Sequence, residues 1–276
     1  MDAIRISLSD YVLFGGGANG ESYDHKEDPD LMLKLYFPGK IQQPYDEMMM
    51  SCKVFNLGIP TPEPGDLVVT EDGRYGIRFR RIRNKKSYAR ATGDNPEMVS
   101  QYAQEFADMC KQLHSVHVDT TQFENVKERY YRLLESNPFF TPQQKDRIGK
   151  FIADAPDSDT AIHGDLQYGN AIFTESNRYF IDLGDFCYGY KLFDVGMVYL
   201  CCCLSNADFI EETFHMSKPL AIKFWQEFAV AYFGQDRPLK DIEEEIRPYA
   251  GLKTLIVERD TNCPMPELRE GMASLL

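Results

Sequence analysis

The sequence His163-Gly164-Asp165-Leu166-Gln167-Tyr168-Gly169-Asn170, followed after a short interval by Ile181-Asp182, is the most informative stretch of this chain. Asp165, Asn170 and Asp182 together offer the groups that phosphoryl transfer requires. One carboxylate can accept the proton of a hydroxyl group, while an amide and a second carboxylate can hold Mg²⁺ on the phosphates of a nucleotide. The spacing is that of the catalytic and metal-binding loops of kinases, with His163 at the start of the motif. An Asp and an Asn five residues apart mean little alone, so the rest of the sequence must support this interpretation.

The composition of the 276-residue chain is that of an ordinary globular protein. Its N-terminus lacks the apolar core of a signal peptide, and no apolar run approaches the ~20 residues that span a bilayer. The seven cysteines form no C-x-x-C pair, so we expect reduced thiols, core packing for Cys201 to Cys203, and a cytoplasmic location. A net charge of −13 argues against nucleic-acid binding as the main task. We therefore expect neither a membrane nor a nucleic acid as partner.

The chain divides into two parts with different hydrophobic patterning. The first part predicts strands at residues 11–14, 31–36, 67–70 and 75–79, and one helix over 44–57. From residue 95 the pattern is helical, with one apolar stripe formed by Met98, Tyr102, Phe106, Met109, Leu113 and Val116. We therefore predict an α+β chain with a small β-rich N-terminal lobe, residues 1–82, and a larger, mainly helical C-terminal lobe, residues 83–276.

A glycine run supports a nucleotide site in the first part. Gly15, Gly17 and Gly20 fit the pattern G-x-G-x-x-G, which both dinucleotide-binding proteins and kinases use. In the dinucleotide-binding case a helix opens at the third glycine, but residues 21–30 have no helical apolar stripe. A strand with a central lysine, Lys34, follows instead, which is the order found in kinases. The next helix should supply a glutamate that orients this lysine, and Glu47 is our candidate.

Taken together, these motifs resemble those of the aminoglycoside phosphotransferase/choline kinase family, which has a bilobal protein-kinase-like fold. The resemblance covers about residues 10–200. It is carried by His163-Gly-Asp165-Leu-x-x-x-Asn170, Ile181-Asp182 and Gly189-x-x-x-x-Asp194, and supported by Gly58-Ile-Pro-Thr-Pro62 and Leu113-His114.

The resemblance implies a role for each candidate residue. Asp165 would be the catalytic base, and Asn170 and Asp182 the metal ligands. Lys34, backed by Glu47, would contact the α- and β-phosphates, and the loop from Gly15 to Gly20 would close over them. The resemblance also implies that His163 and Asp194 brace the catalytic loop. For His114 we expect packing in the core of the lobe rather than a role as a ligand.

A basic run, Arg78-Phe-Arg-Arg-Ile-Arg-Asn-Lys-Lys86, departs from the family, in which many members carry an acidic residue and a glycine at the interlobe connector. Its alternation with apolar residues allows a strand with a basic outer face. Alternatively, some of these charges lie at the mouth of the cleft and suit an anionic substrate. The sequence leaves both interpretations open.

The acceptor is expected to be small. Only residues 183–193 separate Asp182 from Asp194, and no A-P-E motif follows, so the segment on which protein kinases dock a peptide is absent. We predict an ATP-dependent kinase (GTP is also possible) that uses Mg²⁺ and phosphorylates a hydroxyl group of an aminoglycoside, an amino alcohol or a sugar. The candidate carboxylates for contact with ammonium groups of an acceptor are Asp185, Glu211, Glu212, Glu258 and Asp260.

The alternative hypothesis is a nucleotide-binding regulatory protein of the same fold that has lost transferase activity. Such a protein would be expected to lack a lysine, aspartate or asparagine of the catalytic set. None of these residues is missing from this chain. A dinucleotide-dependent oxidoreductase, which rests on the glycine pattern alone, is disfavoured by the sequence that follows the pattern.

Overall fold

A computed structural model describes residues 3–17 and 19–276 of the chain. Ala18, which is part of the predicted glycine loop, lies outside the described residues. The chain folds into two compact units. The first comprises the described residues up to Lys85 together with Ile172–Gly184, and the second comprises Lys86–Ala171 and Asp185–Leu276. Asp182 therefore belongs to the first unit, whereas Asp165 and Asn170 belong to the second.

The first unit is built on a six-stranded sheet. Its strands are Ile4–Arg5 (β1), Tyr11–Gly16 (β2), Gly20–His25 (β3), Leu31–Tyr36 (β4), Pro64–Val69 (β5) and Tyr75–Arg80 (β6), in the order β1-β5-β6-β4-β3-β2. All neighbouring pairs are antiparallel except β1 and β5, which are parallel. One helix, Gln42–Asn56 (α1), lies between β4 and β5 in the sequence.

Alternation along β4 determines where Lys34 lies. Leu33 and Leu35 are fully buried on one face of the sheet, in a cluster with Tyr11, Tyr23 and Val68. Because successive side chains of a strand point to opposite faces, Lys34 and Tyr36 lie on the other face. There Tyr36 packs against Met48 of α1. The strand pattern therefore directs Lys34 to the face of the sheet that α1 covers.

The second unit is mainly helical, as the sequence predicts. Its helices are Tyr88–Asp94 (α2), Val99–Leu113 (α3), Val126–Ser136 (α4), Pro142–Asp154 (α5), Leu192–Tyr199 (α6), Ala207–Phe214 (α7), Lys218–Phe233 (α8), Leu239–Leu252 (α9) and Thr254–Thr261 (α10). Its short strands are Lys86–Ser87 (β7), Ala161–Ile162 (β8) and Cys187–Tyr188 (β11). Two further short strands lie between β8 and β11 in the sequence. The predicted α+β fold class is confirmed.

Residues 172–184, which carry most of two short strands, also belong to the first unit. These strands are Ala171–Phe173 (β9) and Arg178–Phe180 (β10), which are neighbours in a small sheet. The N–H group of Phe180 donates to the carbonyl of Pro60 over 2.8 Å. Asp182 follows this contact directly, so the first unit itself positions the predicted metal ligand.

Two details of the predicted elements differ from the structure. The apolar stripe of α3 is shorter than predicted, because Val116 lies beyond the end of the helix and Met98 belongs to the 3₁₀ turn Pro96–Met98 before it. The strand after the glycine loop, β3, has little apolar alternation, so its hydrophobic pattern does not predict it. It forms because β2 and β4 pair with it on both sides.

The apolar segment that begins at Leu192 continues from α6 into one π-helical stretch, Leu200–Leu204. Cys201 and Cys202 are buried there, and burial raises the pKa of Cys203 to about 12. In the part of the chain that the structure describes, no three His, Cys, Asp or Glu side chains are placed to hold a metal ion. Within residues 3–17 and 19–276, no single helix has the length and apolar character to cross a membrane; one bent pair, Leu192–Leu204 with Ala207–Phe214, qualifies by length and composition only.

Candidate active site

One cluster of charged side chains in the first unit centres on Lys34. Its Nζ lies 2.7 Å from Oε1 of Glu47 and 2.8 Å from Oδ1 of Asp182. The second carboxylate oxygen of Glu47 accepts a hydrogen bond from the hydroxyl of Tyr36. Strand β4, helix α1 and the segment after β10 thus each contribute one charged side chain. The structure brings Lys34 and Glu47 together, as the sequence leads us to expect.

The charge state of this cluster follows from its surroundings. Burial acts to lower the pKa of Lys34, but the carboxylates of Asp182 and Glu47 outweigh it and raise the pKa above its ordinary value. Burial, reinforced by the Glu47 carboxylate, raises the pKa of Tyr36. Lys34 is therefore a cation and Tyr36 a neutral hydrogen-bond donor at neutral pH.

Asp182 has the features of a cation ligand. Its backbone adopts the left-handed conformation, with φ of +63°, which is uncommon for a residue other than glycine and is often found at functional sites. Its side chain is 54% exposed and already holds one cation, the Lys34 ammonium group. Carboxylate oxygens are the ligands that Mg²⁺ prefers, so the chemistry of Asp182 fits the predicted metal.

The Lys34 cluster forms one wall of a cavity of about 350 Å³ within the first unit. The glycine loop supplies Gly16, Gly17 and Gly20 to its lining, and apolar side chains include Met32 and Phe79. A Cβ atom at Gly20 would lie 2.2 Å from the carbonyl oxygen of Leu35, so only glycine fits there. Gly15, the first glycine of the predicted pattern, lies with Leu13 and Phe14 in an adjoining open groove, which shares Gly16, Gly17 and Gly20 with the cavity.

The basic connector is largely neutralised within the fold. Its four arginines each lie near a carboxylate, in the pairs Arg78–Asp66 and Arg80–Glu63, both 3.7 Å, Arg81–Asp24, 2.7 Å, and Arg83–Asp30, 2.9 Å. Lys85 differs from them because it lines the cavity that contains Lys34. Burial and the charge of Arg81 lower the pKa of Lys85. The paired arginines match the interpretation of a basic outer face. Among the charged residues of the connector, all of which the structure describes, only Lys85 lines the cavity.

In the second unit, Asn170 holds the carboxylate of Asp165. Its Nδ2 donates to Oδ2 of Asp165 over 2.9 Å and to the carbonyl oxygen of Asp165 over 3.1 Å. The amide nitrogen of Asn170 is therefore directed at Asp165, and its carbonyl oxygen is the atom suited to a cation. The spacing of five residues thus creates a local contact that fixes the orientation of the predicted base.

A fully buried carboxylate braces the same loop from behind. Asp194 accepts hydrogen bonds from the N–H groups of His163, 2.6 Å, and Gly164, 2.9 Å. Nε2 of His114 lies 3.2 Å from the same carboxylate, and its Nδ1 lies 2.7 Å from the hydroxyl of Tyr232. Burial acts to raise the pKa of Asp194, but the hydrogen bond with His114 and nearby positive charges bring it below its usual value. Asp194 is therefore an anion that fixes the loop backbone.

Two of the carboxylates considered for acceptor binding are engaged elsewhere. Glu258 is 1% exposed and bonds with Asn137, 2.8 Å, and Arg269, 2.7 Å. Asp260 pairs with Arg259 over 2.7 Å. Glu258 in particular stabilises the C-terminal segment and is not available to an ammonium group of a substrate.

Solved structures share the fold. An apo thermostable mutant of the aminoglycoside phosphotransferase APH(4)-Ia matches with a TM-score of 0.64 and 12% identity, covering 96% of this chain and 93% of that one. The amicoumacin kinase hAmiN, in complex with AMP-PNP, Ca²⁺ and Ami, matches with a TM-score of 0.58 and 14% identity over 99% and 88% of the two chains. A choline/ethanolamine kinase family protein from Mesorhizobium loti matches with a TM-score of 0.53 and 15% identity over 96% and 85%. At such identities the likeness shows the fold alone.

Another similar structure is that of an APH(4)-Ia mutant in a ternary complex with ADP and hygromycin B. No curated protein matches the chain. The sequence model of the phosphotransferase enzyme family, APH, matches residues 10–237. Since this match spans most of the chain, and the fold is the one that the family resemblance implies, the chain belongs to the phosphotransferase enzyme family and is a phosphotransferase.

Proposed function

We propose that this protein is a small-molecule kinase that transfers the γ-phosphoryl group of ATP, with Mg²⁺, to a hydroxyl group of its acceptor. The observation that carries the proposal is the Lys34–Glu47–Asp182 cluster in a cavity lined by the glycine loop. An ammonium group fixed by a buried glutamate is suited to hold phosphate oxygens. The ADP and AMP-PNP complexes of proteins with this fold support a nucleotide as the ligand.

We assign separate tasks to the two lobes. Residues 1–82, together with residues 172–184, which include Asp182, would bind the nucleotide, because the cavity is lined by residues of the first unit. Residues 83–276 would supply the base and bind the acceptor. Mg²⁺, held by Asp182 and by the side-chain oxygen of Asn170, would neutralise negative charge on the phosphates.

Asp165 would act as the general base. It would accept the proton of the acceptor hydroxyl group as the oxygen attacks phosphorus. Its carboxylate is oriented by Asn170, while the backbone before it is fixed by Asp194. Pre-organisation of this kind reduces the reorientation needed at the moment of reaction.

The acceptor class is proposed from the short interval between Asp182 and Asp194. The eleven residues from Leu183 to Phe193 leave no platform for a peptide, so an aminoglycoside, an amino alcohol or a sugar is favoured. The test is a phosphate-transfer screen of the purified protein against these three classes, with ATP and GTP as donors. Transfer to at least one acceptor is expected. Nucleotide binding without transfer to any acceptor would favour the regulatory alternative.

Lys34→Ala is expected to reduce kcat by roughly 10²-fold or more while weakening nucleotide affinity much less. The lysine positions phosphates for reaction, whereas other parts of the cavity contribute to the binding of the nucleoside. The measurement is kcat, KM and the Kd for ATP of the variant and of Lys40→Ala, which removes an exposed lysine just before α1. A raised KM with unchanged kcat would show that Lys34 serves binding alone.

Lys85→Met is expected to weaken the binding of ATP by about 10- to 150-fold, because a charge-assisted contact contributes on the order of 1.5–3 kcal/mol. Lys85 lines the cavity, whereas the next residue, Lys86, pairs with Asp94 at 3.3 Å and has a half-exposed side chain. Lys86→Met is therefore the matched control. Calorimetric titration with ATP checks the prediction, which is wrong if both variants bind ATP equally well.

A further inference from the structure

We propose that Lys253 is a positioning residue for phosphoryl transfer, whose buried ammonium group fixes the peptide that joins Gly164 to Asp165. The proposal rests on the proposed function, in which Asp165 is the base. Lys253 lies beyond residues 10–237, which the family model matches. It also stands outside every motif of the sequence analysis.

The contact itself is direct. Nζ of Lys253 donates to the carbonyl oxygen of Gly164 over 2.8 Å, and the residue is only 3% exposed. This carbonyl belongs to the peptide bond whose N–H group is that of Asp165. Because a peptide bond is planar, a fixed carbonyl also fixes the direction in which the chain enters Asp165. The ammonium group therefore contacts the peptide group that leads directly into the predicted base, Asp165.

Lys253 completes a clamp around Gly164. Asp194 holds the N–H group of Gly164 over 2.9 Å, and Lys253 holds its carbonyl group over 2.8 Å. Gly164 has a φ of +86°, and a Cβ atom there would lie 2.0 Å from the carbonyl oxygen of Asp185. The loop thus passes through a conformation that glycine alone can adopt, and one anion and one cation secure it from its two sides.

The chemistry of Lys253 supports a specific role. A buried ammonium group is unfavourable unless its surroundings compensate the lost hydration. Here its hydrogen-bond acceptor is a neutral carbonyl group, and the ring of Tyr130 lies 5.6 Å from Nζ. Burial acts to lower the pKa of Lys253, but Tyr130, Asp194 and Asp165 together raise it, so the group is charged. An apolar side chain would fill the same space at lower desolvation cost but would leave the Gly164 carbonyl without this donor.

The position of Lys253 is itself well secured. It lies at the junction of α9 and α10, and its own N–H group donates to the carbonyl of Ala250 over 3.1 Å. The segment that follows is tied down by Glu258, which bonds with Asn137 and Arg269. Because these contacts fix Lys253 independently of the catalytic loop, its ammonium group can determine where the backbone of Gly164 lies.

The test compares Lys253→Met, which keeps most of the apolar stem, with Lys253→Arg, which keeps a donor. Lys240→Met is the control, because it removes a lysine of α9 whose side chain is 83% exposed and pairs with Glu244 at the surface. With Met, kcat is expected to fall about 10- to 100-fold, as for other small misplacements of catalytic groups. The Kd for ATP should change less than twofold, because the cavity lies in the first unit. Lys253→Arg should recover part of the lost activity, and Lys240→Met should keep near-normal kcat.

A second measurement is independent of activity. Hydrogen exchange of the unliganded protein should show faster exchange at residues 163–165 in Lys253→Met, and exchange like that of the wild type at these residues in Lys240→Met. Unchanged kcat together with unchanged exchange in Lys253→Met overturns the proposal, as does a loss of activity of equal size in Lys253→Met and Lys240→Met. If Lys253→Met does not fold, Lys253→Gln replaces it, because its side chain is shorter and uncharged: a lower kcat with faster loop exchange supports the proposal, and no change in either overturns it. A wild type that transfers phosphate to no acceptor would count against the proposed function alone, since the exchange result still decides the position of the loop.

Discussion

Asp165→Asn is expected to lower phosphoryl transfer by about 10²–10⁴-fold while the affinity for ATP stays close to that of the wild type. The substitution removes the proton acceptor and its charge, but it preserves the size of the side chain. Its amide oxygen can still accept the hydrogen bond that Nδ2 of Asn170 donates, so the loop should keep its conformation. The measurement is transfer to the best acceptor of the screen and the Kd for ATP, side by side in both proteins.

A matched control is Asp157→Asn, which alters a carboxylate that is 92% exposed and pairs with Lys127. Near-normal transfer by this control and a large loss in Asp165→Asn would support the base. A different pattern would support the regulatory alternative: the wild type binds ATP, transfers phosphate to no acceptor, and shows basal hydrolysis that Asp165→Asn leaves unchanged. In that case Asp165 is not a catalytic base.

The sequence shows which candidate residues lie close together along the chain, because short spacings fix them. It places Asn170 five residues after Asp165, but it does not predict the contact in which the amide of Asn170 reaches back to the carboxylate of Asp165. Alternation along β4 places Lys34 opposite Leu33 and Leu35, on the side of α1. The family model confirms the resemblance, and the fold class is confirmed as α+β. The roles assigned to the individual residues stay predictions until variants are measured.

Contacts between distant parts of the chain could not be predicted in this way. Tyr232 meets His114 across 118 residues of sequence, and Lys253 meets Gly164 across 89. A lysine near the end of a polar helix looks like a surface residue, and only tertiary packing reveals that Lys253 is buried. The connector illustrates the same limit, because the partners of its arginines come from other strands and loops. Hydrophobic patterning shows which face of an element is apolar, but it does not show which charges meet.

Asp182→Ala is expected to abolish phosphoryl transfer, with a loss of roughly 10³-fold or more, because a metal ion contributes several kcal/mol by stabilising charge on the phosphates. The carboxylate of Asp182 lies 2.8 Å from the Lys34 ammonium group, so its loss also removes one partner of the lysine. Two effects are therefore combined in this variant. The measurements are kcat at saturating Mg²⁺ and the Kd for ATP with and without Mg²⁺.

Glu47→Gln separates the two effects, because it removes the other carboxylate that contacts Lys34, at 2.7 Å, and spares the predicted metal ligand. This variant should lose activity by misplacing the lysine, yet Mg²⁺ should still strengthen its binding of ATP. In Asp182→Ala, by contrast, the benefit of Mg²⁺ for ATP binding should largely vanish. An Asp182→Ala protein that turns over at a near-normal rate would show that Asp182 is not the metal ligand. If both variants lost the same activity and kept the same dependence on Mg²⁺, the contribution of Asp182 would be limited to orienting Lys34.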